Sequence, residues 1–495
     1  MSGIIGANNV FGRQFGHPDA NMQGIIVSIY DIGCAAGCLA AFMWGEHFGR
    51  KRMLLAGGSI MIIGTIILGS SYHTSQFLVG RIVTGFGNGI NSSTAPPYQS
   101  EMANPKNRGA LVCAQSMLTI VGLCIAYWLD YGLSFVDSSI QWRFPISFQA
   151  LFAICLVIQM LPLPESPRWL IEKGRNNEAA TVLARLQVVQ PATEQDEHVV
   201  LLCKQIETSI ELEAAATGGF KYSELLSGGK LQNLRRMVLA SAVNIMQQFT
   251  GANMINYYAP VVYQNAMHLS RNLSLILGGC TSLTYLAASF IPLWTVDKFG
   301  RRSLLMISAS GLSFCFMMAA ILLSTGTGSA AYAATAFIFI FQIFLGIGFL
   351  PIPWLYPSEV TTTRIRSRGQ AFSGFMNWMC VFTVVQITPI AIDNIAWRTF
   401  IIFAIFNAGW YVKPRYMRAA IKFYVRVPIV YCFFPETKGL QLEDIDHLFD
   451  KGGITGGVFS SRGHTIHPGF YAAQQNVTSI EKPLGEKETT GTELV

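Results

Sequence analysis

Runs of about twenty apolar residues, each long enough to cross the hydrocarbon core of a bilayer as a helix, constrain this chain more than any other feature. Clear runs occupy 22–43, 53–72, 75–95, 109–131, 144–162, 237–264, 272–296, 304–324, 330–356 and 370–393. Hydrocarbon offers no partner to an unpaired backbone amide, so helices are the expected form. Composition agrees, with 51% of residues hydrophobic and 13% charged, against roughly 25% charged in soluble domains. The fold class read from this is an all-α membrane protein that crosses the bilayer many times.

The ten cysteines are scattered through the apolar runs without a CxxC or a paired spacing, as small hydrophobes would be. No metal-ligand spacing, glycine-rich phosphate loop or Ser/His/Asp arrangement stands out, so neither an enzyme nor a metal or other cofactor is expected. The formal charge of +7 follows the membrane rather than a nucleic acid. Loops 44–52, 104–108, 163–236, 297–303 and 359–369 hold twenty Lys and Arg, while the alternate segments hold Arg13, Arg143, Arg271 and Arg398. The positive-inside rule makes the first set cytoplasmic and places residues 1–21 outside. Residues 1–20 lack the basic and apolar regions of a cleavable signal peptide.

The long charged loop divides the chain into an N-terminal bundle (1–162), a cytoplasmic helical linker (163–236), a C-terminal bundle (237–439) and a mostly disordered cytoplasmic tail (440–495) with a short helix at its start. The linker stretches NNEAATVLARLQVV and EHVVLLCKQIETSIELEAAA have the apolar spacing of short amphipathic helices. Both halves carry the same punctuation. GEHFGRKR (45–52) is echoed by VDKFGRRS (296–303), PYQSEMANPKNRG (97–109) by YPSEVTTTRIRSRG (356–369), and PESPR (164–168) by PETKG (435–439). Weak internal symmetry of this kind marks transporters built from repeated helix bundles. Gly49 and Gly300 permit sharp turns. Arg50, Arg108, Arg301 and Arg366 share the inner face with Glu101, Glu165, Glu359 and Glu436. Pairs among these eight are expected to form a cytoplasmic latch that joins the halves in one conformation and releases them in another.

These motifs, together with QQFTGANMINYY, PIPWLYPSE and PESPRWL, resemble the sugar porter family of the major facilitator superfamily, particularly its fungal members, over residues 1–450. Glu46 and His47 depart from the family's usual Asp-Arg. The resemblance implies two six-helix bundles with a sugar site between them near the midplane, and alternating access as facilitator or proton symporter. Carried over position by position, it implies Gln115, Gln247, Gln248, Asn253, Trp354 and Asn377 as sugar contacts. The chemistry fits, since sugar hydroxyls donate and accept hydrogen bonds and amides do both. An amide in a membrane helix also commonly bonds a neighbouring helix, so packing roles stay open for these residues. Tyr257 and Tyr258 read equally as a gate or as interfacial aromatics. Arg81 lies inside an apolar span, where a charge is a functional hypothesis by default. In symporting relatives the Arg at this position faces a proton-carrying Asp on the first helix. The alternative is a structural pairing with a carbonyl or with Asp31.

Two departures from the pattern remain. MSGIIGANNVFG resembles the outer end of the family's first helix, and the Gly-Tyr-Asp motif expected before it is absent. About eleven spans are then expected, consistent with an outside N-terminus, and a start codon chosen too far downstream. In addition, residues 411–426 place Lys413, Arg415, Arg418, Lys422 and Arg426 inside what would otherwise be a last span at 399–434. Deleting them leaves FIIFAIFNAGWVPIVYCFF, and the codons allow a retained in-frame intron with GTATGT at its start and AG at its end. The rival is a basic amphipathic helix on the membrane surface.

The expected function is transport of a hexose or related sugar, with protons as a second partner in the symport case, by a monomer in the plasma membrane. Polyols and disaccharides stay open as substrates. A non-transporting sugar sensor and an inert product of a misread gene are the alternatives.

Overall fold

The computed structural model describes residues 10–103, 108–186, 196–217, 222–226, 228, 232–267, 269–362, 365–410, 429–438, 445–449, 455 and 458. Its first helices are α1 (Val10–Gln14), α2 (Ala20–Phe48), α3 (Arg50–Gly69), α4 (Thr74–Met102), α5 (Arg108–Leu133) and α6 (Ile140–Met160). Three linker helices follow: α7 (Pro167–Glu172), α8 (Asn176–Leu186) and α9 (Glu197–Thr217). Then come α10 (Asn233–Gln248), α11 (Ala252–Val261), α12 (Arg271–Ser289), α13 (Ile291–Phe299), α14 (Arg301–Ser324), α15 (Gly328–Ile347), α16 (Ile352–Val360) and α17 (Arg366–Ile395). The last are α18 (Arg398–Trp410), α19 (Ile429–Phe433) and α20 (Asp446–Phe449). The described residues contain no strand, as the apolar runs require. The basic segment 411–426, the start of the chain and the tail from 459 lie outside the described residues.

Among the described residues, seven helices are long and apolar enough to cross a membrane alone, and α12 with α13, bent by 41°, make an eighth. The expected run 237–264 is not one helix but two, α10 and α11. The run 330–356 likewise breaks between α15 and α16. The run 75–95 lies in α4, whose polar residues keep it off that list of spans. Arg81, Thr84, Asn91, Ser93 and Thr94 are buried there because α4 packs between α2 and α3. Large apolar side chains point outward instead, as at Ile66, Leu118 and Ile158, each 60% exposed or more. Such a surface suits lipid and not water.

Glycine sets the closest helix crossing. A Cβ on Gly33 or Gly37 of α2 would collide with the carbonyl oxygens of Ile82 or Phe86 of α4, and one on Gly85 or Gly89 with those of Tyr30 or Cys34. The two helices thus meet backbone to backbone through reciprocal small-residue stripes, the usual way for helices to gain packing in a medium without a hydrophobic driving force. The linker helices α7 and α8 form a separate small core of Trp169, Leu170, Ile171, Ala179 and Val182. Pro167 starts α7 at a position that needs no N–H, and the Trp169 indole donates to the Glu46 carbonyl at 2.9 Å, tying this core to the end of α2.

Gly89→Val is expected to force α2 and α4 apart and lower the thermal midpoint of the purified protein in detergent by many degrees. A Cβ on Gly122 meets nothing within 4 Å, so Gly122→Ala is expected to be neutral or to stabilise by about 0.5–1 kcal/mol. Equal midpoints for the two variants would remove the crossing as a determinant of the fold.

Candidate functional site

The break between α10 and α11 begins with sequence. Gly251 adopts φ +83°, a conformation side-chain-bearing residues avoid, and a Cβ there would also press on Phe316 and Phe403. Breaking a helix in hydrocarbon frees backbone groups that water cannot reach. They are recaptured by side chains. Asn407 of α18 donates to the Thr250 carbonyl at 3.0 Å, and Thr250 Oγ1 donates to the Gln247 carbonyl at 2.5 Å. The second break, at 348–351, is served in the same way, Gln247 Nε2 donating to the Phe349 carbonyl at 2.6 Å; just beyond it, Asn244 Nδ2 donates at 3.0 Å to the Pro353 carbonyl, which Pro357 cannot serve for want of an N–H.

Four of the six expected contact residues meet at this double break. Gln248 Nε2 donates to Asn377 Oδ1 of α17 at 2.6 Å and to Gln247 Oε1 at 3.3 Å. Its Oε1 accepts from Asn253 Nδ2 at 2.5 Å. Gln247 and Asn253 lie on different helices, and the turn at Gly251 brings them to the same amide. Neither Gln115 nor Trp354 joins this network among the described residues. Gln115, on α5, has a buried side-chain oxygen without a partner, and Trp354 is half-buried in the first turn of α16. Linked amides suit a polyhydroxyl ligand, because each amide–amide bond can be replaced by an amide–hydroxyl bond without leaving a group unpaired.

Cross-half contacts flank the network. Trp378 Nε1 donates to Ser92 Oγ at 3.2 Å, Tyr127 Oη to the Asn256 carbonyl at 2.8 Å, and Ser28 Oγ to Gln386 Oε1 at 2.8 Å. Gln342 Nε2 holds Asn256 Oδ1 at 2.9 Å. Tyr258, one of the pair with an open role, is buried and donates to the Val385 carbonyl at 3.2 Å. Sequence reading passed over Asn244, Asn256, Gln342 and Asn407. Their signal was present, as single amides inside apolar helices.

At the helix ends expected to face inward the same device is built twice. Gly49 (φ +87°) and Gly300 (φ +89°) turn the chain, and a Cβ on either would strike the carboxylate of Glu165 or Glu436. Those carboxylates accept from the first amides of the next helix: Glu165 from Arg50 and Lys51, and Glu436 from Arg301 and Arg302, all at 2.9–3.2 Å. Free N–H groups and the helix dipole favour an anion there. The Arg50 side chain pairs with Glu46 at 3.2 Å and Glu101 at 3.3 Å, and Arg301 with Asp297 at 2.8 Å and Glu359 at 2.7 Å. Ser166 Oγ and Thr437 Oγ1 complete the two clusters as donors to Glu101 and Glu359. Glu46 therefore fills the place that Asp297 fills in the second cluster.

These ion pairs lie within each half, whereas the latch was expected to join the halves. Across the halves, a Cβ on Gly109 at the start of α5 would strike Asp297, and Arg366 acts electrostatically on Glu101, one of the pairings expected of the latch, while its Nε donates to the Ser358 carbonyl at 3.0 Å. The Arg108 side chain lies outside the described residues. Arg81, the proton-coupling candidate, is buried in α4. Its guanidinium donates to the carbonyls of Ile26 at 3.3 Å and Val27 at 2.7 Å, the carbonyl pairing that sequence reading left open.

Residues 8–449 match the family model described as sugar (and other) transporter. The chain is 38% identical over 429 residues to the MFS-type transporter oryC of Aspergillus oryzae, covering 86% of this chain and 76% of that protein. It is 37% identical over 434 residues to the sugar transporter STL1 of Saccharomyces cerevisiae, covering 87% and 73%. Among solved structures it resembles the proton:xylose symporter XylE bound to 6-bromo-6-deoxy-D-glucose, with a TM-score of 0.72 and 22% identity over 86% of this chain and 89% of that one.

Glu359→Ala leaves Arg301 buried with Asp297 as its remaining acid. Removing one partner of a buried pair costs about 3–5 kcal/mol, so a large fall in the thermal midpoint is expected, together with slower solute exchange in proteoliposomes. An unchanged midpoint would show that the pair does not hold the α13–α14 turn.

Proposed function

The chain belongs to the sugar (and other) transporter family, and from that premise we propose that its linked amides are the site at which a transported sugar binds. The protein is a multi-pass membrane transporter of sugars with the major facilitator fold, not an enzyme. The observation that carries the site assignment is the Gln247–Gln248–Asn253–Asn377 network at two broken helices. Discontinuous helices near the midplane are where transporters commonly hold their substrates, and hydroxyls can take over these hydrogen bonds one for one.

Gln115 supplies a further acceptor, and Trp354 an aromatic face for the C–H face of the ring. The two bundles, 1–162 and 237–439, rock about this site with 163–236 as the cytoplasmic linker. The cluster glutamates and arginines hold each bundle's inner turn rigid during that motion, and Gly109 and Arg366 make the inner contact between bundles. The relatives' names and the amide chemistry together support a sugar as the solute; we take it to be a hexose, carried across the plasma membrane by a monomer. Arg81 marks the place where a proton couples to the cycle.

Uptake of labelled hexose by cells without hexose carriers of their own tests this. The parent chain is expected to restore uptake, and Gln248→Ala and Trp354→Ala to lower it far more than they lower protein level. Losses that only track protein level would make both residues structural. Sugar binding without uptake would mark a sensor, and an absence of both would overturn the sugar reading.

A further inference from the structure

Gln370 of α17 is 0% exposed, and among the described residues neither its Oε1 nor its Nε2 has a hydrogen-bond partner. It stands seven residues before Asn377 of the amide network, which is two helical turns, or about 10 Å, along the same face. The step leads toward the start of α17, where Arg366 acts on Glu101 at the inner cluster. The neighbouring helix α10 repeats it. Gln248, bonded to Asn377 at 2.6 Å, is preceded at the same spacing by Ser241, which is buried and whose Oγ also lacks a partner. Two packed helices thus carry polar residues at matching levels, closed by a hydrogen bond at the network and open two turns further on.

The stripe that holds Gln370 faces the other half. A Cβ on Gly374, between Gln370 and Asn377, would meet Cys38 Sγ of α2 at 3.3 Å and Ser93 Cβ of α4 at 3.8 Å. The nearby hydroxyls donate elsewhere: Ser93 Oγ to the Gly89 carbonyl at 2.7 Å, and Ser373 Oγ to the backbone carbonyl of Gln370 at 3.0 Å. An amide that serves only to pack membrane helices bonds a neighbour, as Asn244 and Asn407 do here. Gln370 does not, and a buried amide without partners forfeits the hydrogen bonds it made with water.

We propose that Gln370, with Ser241 beside it, is a second hydroxyl-binding position on the solute's path, between the amide network and the inner end; this rests on the transport reading above. When the halves part along α17, a solute hydroxyl leaving Asn377 and Gln248 reaches the Gln370 amide before it reaches water. A hydroxyl donates to Oε1 and accepts from Nε2, so it answers both open ends of the amide. In the arrangement described the same amide is left unpaired. Closure around Gln370 is therefore less favourable than it would be around an apolar side chain, which eases the parting of the halves.

The test compares the parent full chain with Gln370→Leu, purified for thermal midpoint and for binding of labelled D-glucose, and in proteoliposomes for exchange of D-glucose and each of its monodeoxy analogues. Gln370→Leu is expected to raise the midpoint by several degrees and to leave glucose binding close to the parent's. Glucose exchange is expected to slow about tenfold, the worth of one hydrogen bond on the path. At least one monodeoxyglucose, lacking the hydroxyl that the amide takes, should be slowed far less. Gln370→Asn, an amide on a shorter stem, should recover part of the rate, and Ser241→Ala should slow exchange to a lesser degree. Three results overturn the proposal and leave sugar transport intact: unchanged exchange in Gln370→Leu, loss of glucose binding in step with exchange, or equal slowing of every deoxyglucose. The last would mean that leucine only steadies the closed arrangement and that water alone meets the amide. A parent that neither binds nor exchanges any hexose overturns the sugar reading itself, and this position with it.

Discussion

A backbone amide freed inside hydrocarbon must find a partner from the protein, and the centre of this molecule is organised around that constraint. Two helices are broken beside one another, one at Gly251 and one at residues 348–351, joined by the Gln247–Phe349 hydrogen bond. Side-chain amides from other helices answer the freed carbonyls: Asn407 for Thr250 and Gln247 for Phe349 at the breaks, and Asn244 for Pro353 inside α16, whose carbonyl the N–H-less Pro357 cannot serve. Once several amides are required at one place, they also bond one another. The network that results is the one proposed to hold substrate. Binding and backbone satisfaction are thus two uses of one set of groups, and a ligand enters by replacing hydrogen bonds that already exist.

The inner ends of the helices obey a different constraint. There the chain must turn sharply between helices and leave the first N–H groups of the second helix without partners. Gly49 and Gly300 make room, and Glu165 and Glu436 fill it. Because the capping carboxylate comes from 115 or 135 residues away, each turn fastens distant helices of its own half into one unit. Arg50 and Arg301 add pairs to Glu101 and Glu359. Halves that are each rigid at these turns and pack on one another mainly through α2 with α17 and α5 with α12 are what a rocking mechanism requires, since motion then concentrates at the surfaces between them.

Between these levels, packing is set by what a helix faces. The α2–α4 crossing depends on glycine on both sides, and the polar content of α4 points at helices rather than lipid. That inversion explains why hydropathy ranked α4 below its neighbours although it is 29 residues long. It also buries Asp31 and Arg81 together inside the first half, within electrostatic reach of Tyr257 and Tyr258 of α11.

Sequence alone was enough for the all-helical class and the family, and it named the four residues that the structure joins in one amide network. Each of these rests on local pattern or on recurrence, which chain order preserves. It did not disclose that 237–264 is two helices, since Gly251 in an apolar run looks like any other glycine until its φ is known. Nor did it disclose that the arginine pairs close within halves, or which amides answer the broken backbone. Those were decided by tertiary structure, because a hydrogen bond between Asn407 and Thr250, or a cap from Glu436 on α14, depends on which helices become neighbours. A carboxylate such as Asp31 acquires its character only from what stands, or fails to stand, around it.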